Sequence, residues 1–336
     1  MTEWTPSEEE RLRIFEEQIL PVVFPPHPAV ETPTLLLLGG QPGAGKSRAT
    51  SRLLADSPSD MVALSGDDLR AFHPHFWELS RSRSLEAPQI LAESTAGWLR
   101  SCLAHARTSG RSLLLEGTFH TPEIAFATAD LFSRHDFATR AVVVGTPRAE
   151  SLMSTASRYL LDARAGRASR FTSVAIHDGG WQGTRALVER LDSSAEVDRL
   201  TIIDRDGAPR YDAERPDAGG FPGAVREIDR ARSVPMPSAN AMRWLSELRA
   251  MTDYVMTVGK TPEPLAELLV ELHQVALQDV LPTFDLPADS RARPALEASL
   301  AGRLVTLRQS LPARPRATDL TAPVIPVPQP HRGLSR

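Results

Sequence analysis

Gly40, Gly45, Lys46 and Ser47 are spaced as G-x-x-x-x-G-K-[ST], a set of residue types suited to holding phosphate. Glycines let the chain curl so that successive backbone N–H groups face one anion. Gly40, Gln41, Pro42, Gly43, Ala44 and Gly45 form the curl, and Lys46 and Ser47 open the next helix. That helix start adds unpaired N–H groups and a positive dipole end. Lys46 reaches toward β- and γ-phosphates, and the Ser47 hydroxyl suits Mg²⁺. Nucleotide binding follows; the destination of the phosphate does not.

Such a loop must be hung from a strand and a helix. Leu35 to Leu38 is an apolar run of buried-strand length, and a helix begins at Ser47. Further short strands fall at Met61–Leu64, Leu113–Leu115, Ala141–Val144 and Leu200–Ile203. Helices are predicted for Ser7–Leu20, Leu85–Arg107, Pro122–Phe132 and Glu150–Arg164. Alternation of this kind implies an α/β fold, a three-layer P-loop fold with a parallel sheet and helices on both faces. Ligands of such sheets sit beyond the strand carboxyl ends. Asp67, Glu116 and Thr118 all follow strand ends, so they should converge on the loop.

Phosphoryl transfer also needs a group to orient or deprotonate the nucleophile, and cations to spread charge. Asp67 reads equally as a general base or, with Asp68, as a helix cap. Glu116 is placed to reach Mg²⁺, water or substrate. Arg158, Arg164, Arg167 and Arg170 lie in and after one helix; guanidinium heads suit phosphate oxygens, although most of the four read as a solvated face. His73, His75 and His120 lack the spacing of a zinc site.

Composition narrows the class. The 336 residues are 41% hydrophobic with a net charge of −4, which supports a sizeable core and gives no footprint for nucleic acid. The single cysteine, Cys102, excludes an intrachain disulfide and reads as a small buried residue. The N-terminus lacks a secretory core and no apolar run spans a membrane, so a cytoplasmic protein is expected. After residue 215, Gly219, Gly220, Pro222 and Gly223 read as a linker. Amphipathic helices are predicted over Asn240–Val258, Pro264–Val280 and Pro294–Leu311, and a proline-rich extended tail over 312–336. The expected organisation is therefore a kinase-like domain over 1–215, a helical region over 216–311 and that tail.

Five pieces in order resemble the zeta toxins, the kinase component of epsilon–zeta toxin–antitoxin pairs. They are G-G-Q-P-G-A-G-K-S at Gly39–Ser47, D-D-L-R-A-F-H-P at Asp67–Pro74, L-L-L-E-G-T at Leu113–Thr118, S-R-Y at Ser157–Tyr159, and A-S-R-F-T with H-D ending at Asp178. The resemblance spans roughly residues 5 to 212. It implies ATP-dependent phosphorylation of the 3′-hydroxyl of UDP-N-acetylglucosamine, whose product blocks early peptidoglycan synthesis. It implies that Lys46 and Ser47 bind ATP phosphates and Mg²⁺, and that Asp67 is the base. Thr118 and Thr128, with Glu116, match substrate-binding positions, and Arg158 and Arg170 match the arginines on the ATP phosphates. Two positions depart from the pattern. Arg100 stands where an acidic substrate contact is expected, with Glu93 as a substitute two turns earlier, and His120 replaces an arginine.

Both departures touch the acceptor side, so a nucleotide sugar, another small hydroxylated acceptor such as a nucleotide or antibiotic, and a nucleotide-binding interaction module all remain open. The resemblance also implies a protein antitoxin as partner, and the C-terminal helices could instead inhibit in cis.

Overall fold

A computed structural model describes residues 4–27, 30–57, 59–167, 170–193, 196–217, 219–257, 261–287 and 290–311. The expected tail, 312–336, lies outside them. Six strands form one sheet: β1 (Thr34–Gly39), β2 (Val62–Ser65), β3 (Leu113–Gly117), β4 (Ala138–Gly145), β5 (Arg199–Asp204) and β6 (Pro209–Glu214). Their spatial order is β2-β3-β1-β4-β5-β6, parallel except for β6. β1 thus lies centrally, where successive crossovers leave toward opposite edges. That reversal opens the crevice in which doubly wound sheets bind ligands.

Strand alternation builds the layers. Leu35 and Leu37 join a core with Trp98, Phe126 and Phe132 on one face, while Leu36 and Leu38 pack with Ala49 on the other. The first face is covered by α1 (Glu8–Ile14), α4 (Ala92–Ser109), α5 (Pro122–Ser133) and α7 (Val174–Ser193); α2 (Lys46–Ala55) serves the second. Between them in sequence, α3 (Gly66–Arg70) follows β2 directly, and α6 (Arg148–Arg164) follows β4. Ser7 caps α1 by accepting the Glu10 N–H at 3.1 Å. Pro21 does not end the N-terminal helical run as expected. The chain widens into a π-helical turn over Phe15–Ile19 and continues as helix to Val23. Cys102 is fully buried, and burial pushes its thiol up to about 12.

The packed α/β core continues past residue 215, where a linker is expected. Phe221 is fully buried, its N–H bonded to the Leu191 carbonyl at 2.7 Å, and α8 (Ala224–Arg232) packs Ala224 and Ile228 into the sheet's core. The glycine-rich stretch is therefore a turn within the α/β core. β6 is a further element the sequence did not announce. It is a polar edge strand in which Thr201 of β5 faces Asp212, 2.8 Å from its carboxylate.

Beyond Ser233, α9 (Ser238–Thr257), α10 (Glu263–Val275) and α11 (Ala292–Ser310) form the helical region the amphipathic stripes implied. Its core is shared with α6: Leu152, Met153, Ala156 and Leu160 pack with Leu248, Leu269 and Leu272. One helix thus belongs to both halves. Leu269 is fully buried at this junction. Leu269→Ala is expected to cost about 2–5 kcal/mol by urea denaturation, the usual range for emptying a leucine-sized core site.

Candidate active site

The loop after β1 closes on itself. Gly43 and Gly45 adopt left-handed φ angles of 76° and 102°. A Cβ on Gly43 would stand 2.1 Å from the Ser151 carbonyl oxygen, so packing as well as backbone conformation demands glycine. Lys46 Nζ donates to the carbonyls of Gly40 at 2.9 Å and Gln41 at 3.2 Å. Burial pulls its ammonium down to about 8, against the raising influence of Glu116 and Asp67. The loop, Lys46 and Ser47 line a cleft of about 220 Å³, closed by Asp67, Glu116, Thr118, Arg158, Arg170 and Arg205.

The sheet's register sets this convergence. Leu38, Ser65 and Glu116 stand level across β1, β2 and β3. Each strand therefore releases its chain on the same rim. The cap of α3 is made by the neighbours of Asp67. Ser65 is the N-cap of α3, and Asp68 completes the capping box by accepting the Ser65 N–H at 3.1 Å. Asp67 is left to face the cleft. Its Oδ1 accepts from Arg70 at 2.9 Å and its Oδ2 from Arg170. Burial alone would raise the Asp67 carboxyl, but Arg170 and then Arg70 hold it below the usual range. Glu116 accepts from the Thr50 hydroxyl at 3.3 Å; burial pushes its carboxyl up, with Lys46 opposing.

A second cavity of about 200 Å³ adjoins the first. The two share Asp67, Arg158 and Arg170, while Phe76, Pro88 and Leu91 give the second an apolar wall. No ion pair engages Arg158 among the described residues, so its charge is free for an anion.

Other expected residues lie elsewhere. His120 is exposed and Thr128 spends its hydroxyl on the Ile124 carbonyl at 2.7 Å; neither lines either cavity. Arg100 lines a separate groove against α1, and Glu93 pairs with Arg11 at 3.5 Å, so Glu93 does not take the place of a substrate carboxylate in either cavity. Arg167 pairs with Asp162 at 2.6 Å. Two contributors were missed. Arg205 donates to the Gly43 carbonyl at 3.0 Å and the Ser154 hydroxyl at 2.6 Å. It directly follows β5, so the strand-end rule marks it. Arg70, one turn after Asp67, carried no comparable signal.

Among the described residues no three His, Cys, Asp or Glu side chains gather into a metal site, and no helix is long and apolar enough to cross a membrane. No residue lining the phosphate cleft comes from the C-terminal helices. Their approach is Glu247 of α9, in a neighbouring surface cleft with Ser154 and Arg158. A C-terminal helix occupying the cleft in cis is not what this arrangement contains.

A phosphate loop on a central parallel strand, ringed by strand-end carboxylates and converging arginines, defines a kinase of the P-loop class. The model of the zeta toxin family matches residues 23–215, and the chain belongs to that family. "Toxin zeta" of Streptococcus agalactiae is 26% identical over 204 residues, 60% of this chain and 71% of that protein. "Toxin PezT" of Streptococcus pneumoniae is 26% identical over 186 residues, 54% of this chain and 72% of the relative. A structure from the PezAT toxin–antitoxin system of S. pneumoniae superposes with a TM-score of 0.60 at 21% identity, over 74% of this chain and 98% of that one. This last likeness concerns the fold.

The low-lying Lys46 gives a pH signature. Below about pH 8 the free protein already carries the ammonium that phosphates require. Above it, binding must take up a proton. ATP affinity, measured by calorimetry, should weaken above about pH 8 by at most about tenfold per unit as Lys46 loses its proton in the free protein. Proton uptake on binding, read from buffers of different ionisation enthalpy, should accompany the weakening and vanish near neutrality.

Proposed function

We propose that this chain transfers the γ-phosphoryl group of ATP to a hydroxyl of a small acceptor, with the 3′-hydroxyl of UDP-N-acetylglucosamine as the first candidate. The observation that carries this reading is the position of Asp67, whose carboxylate borders both the phosphate cleft and the adjoining cavity. A donor in one and an acceptor in the other would meet at it. The acceptor oxygen attacks the γ-phosphorus, the bond from that phosphorus to the bridging oxygen breaks, and ADP leaves with the electron pair. Asp67 takes the hydroxyl proton.

In the free protein both Asp67 oxygens are engaged by arginines. Arg170 must move from Oδ2 to the γ-phosphate before Asp67 can accept a proton. ATP, by drawing Arg170 away, would thus prepare the base. Lys46, Arg158 and Arg205 add charge on the donor side, and preorganised charge of this kind is usually the largest catalytic contribution. Ser47 and Glu116 supply the hard oxygen donors that suit Mg²⁺ alongside substrate phosphates. A bound Mg²⁺ would neutralise phosphate charge there.

A different hydroxylated acceptor is the second reading. It is favoured by the placement of His120 and Thr128 outside both cavities. Membership in a toxin–antitoxin family also supports a protein antitoxin as partner. Purified protein, ATP and UDP-N-acetylglucosamine, followed by mass for the gain of one phosphate, test the first reading. A metabolite extract tests the second, and ATP binding without any phosphorylated product would favour an interaction module. Asp67→Asn should lower kcat by about 10²–10⁴-fold with the KM for ATP little changed, the usual effect of removing a general base. Lys46→Ala should impair both. An Asp67→Asn protein with wild-type turnover would overturn the base assignment.

A further inference from the structure

The phosphate loop is tied to the C-terminal helices by an unbroken line of buried or half-buried polar groups. Gln41 Nε2 donates to the Thr146 carbonyl at 2.8 Å and to Ser151 Oγ at 3.2 Å. Ser151 Oγ lies 2.9 Å from His177 Nε2, and His177 Nδ1 lies 2.9 Å from Asp178 Oδ1. Arg148 donates to both Asp178 oxygens, at 2.8 and 2.7 Å, and to Glu271 Oε1 at 2.9 Å. Gln41, Ser151 and His177 are fully buried.

The chemistry of each group fixes the direction of the line. A carboxylate only accepts, so His177 Nδ1 carries the proton bonded to Asp178. With the ring neutral, Nε2 accepts from the Ser151 hydroxyl, which also lies 3.2 Å from the Pro147 and Arg148 carbonyls. Ser151 Oγ keeps a lone pair for the Gln41 amide. Every member is thereby satisfied, and satisfied buried networks rigidify what they connect. At the far end, Glu271 shares the Arg148 guanidinium with Asp178. Trp244 of α9 adds a second tie, its Nε1 donating to the Ala149 carbonyl at 3.0 Å.

The near end is the nucleotide site. The backbone carbonyl of Gln41 accepts from Lys46 Nζ, so fixing the Gln41 side chain fixes one of the two carbonyls that hold the lysine. Close packing reinforces the line: a Cβ on Gly180 of α7 would stand 3.0 Å from Pro42 Cδ. We propose that Glu271, Arg148, Asp178, His177 and Ser151 are positioning residues for the phosphate loop, and that the C-terminal helical region supports ATP binding through them. The line runs behind the loop and touches neither cavity's mouth. It serves the donor side and leaves the acceptor side unaffected. The proposal rests on the ATP-site reading above, but binding tests it without any acceptor.

The experiment uses the full-length chain with Glu271→Ala, Glu271→Gln and, as a control, Gln274→Ala, since Gln274 lies on the same helix and lines a surface cavity there together with Glu271. ATP affinity is measured by direct titration, and turnover where an acceptor has been found. Glu271→Ala should weaken ATP binding by about fivefold or more, within the range seen for coupling networks, and raise the KM for ATP while kcat at saturating ATP stays within about twofold. Glu271→Gln, which keeps an acceptor oxygen for Arg148, should fall between it and wild type, and Gln274→Ala should match wild type. A folded Glu271→Ala protein with unchanged ATP affinity overturns the proposal, as does a loss equal to that of Gln274→Ala or one confined to kcat. If Glu271→Ala does not fold, Arg148→Lys, which keeps the charge but not the forked contact, takes its place with the same criteria. If wild type binds ATP but phosphorylates nothing, the kinase reading fails while the affinities still decide this one.

Discussion

The structure turns on one carboxylate held by two arginines. Asp67 sits at the junction of two cavities with Arg70 on one oxygen and Arg170 on the other. Its side chain is still 47% exposed, so it is paired without being sealed. Around it the charges are sorted. Lys46, Arg48, Arg158, Arg170 and Arg205 border the phosphate cleft, and Asp67 and Glu116 are the carboxylates among them. Five cations against two anions leave the cleft electropositive, as a polyphosphate site should be. The pairing of Arg170 with Asp67 keeps both groups in place without a ligand.

Everything that fixes this junction is remote from it. The parallel register brings Ser65 and Glu116 level with Leu38, which sets the rim height of three separate loops. The Ser65–Asp68 capping box starts α3 and removes Asp68 from the cleft. The loop's own shape depends on α6, since Gly43 lies directly against the Ser151 carbonyl and Gln41 is bonded to Thr146 and Ser151. Because α6 shares its other face with α9 and α10, the C-terminal helices belong to the architecture of the site even though they do not line its cleft. Single-point anchors of this kind matter because productive geometry tolerates little displacement.

How much of this was legible in the sequence depended on the kind of signal. The phosphate loop and the strand-end residues Asp67, Glu116 and Thr118 were readable because spacing and strand chemistry are local. The five parallel strands were readable because buried strands are continuous apolar runs. α7 was not, because Gly179, Gly180 and Gly183 give it the texture of a loop. Two of those glycines are there for packing: a Cβ on Gly183 would stand 2.3 Å from the His120 Cα, and one on Gly180 would press on Pro42. β6 is polar and exposed at an edge, so no hydrophobic period marks it. The glycine-rich turn after residue 215 likewise hides the buried Phe221. The line from Gln41 to Glu271 joins residues from four separated segments, and no local pattern encodes such a contact.

We propose that ATP takes Arg170 from Asp67 and so frees the base. A crystal structure with a non-hydrolysable ATP analogue tests it most directly. The expected result is Arg170 on the γ-phosphate, with Asp67 Oδ2 open to the adjoining cavity and Arg70 still on Oδ1. Arg170 remaining on Asp67 while the γ-phosphate occupies the cleft would contradict it.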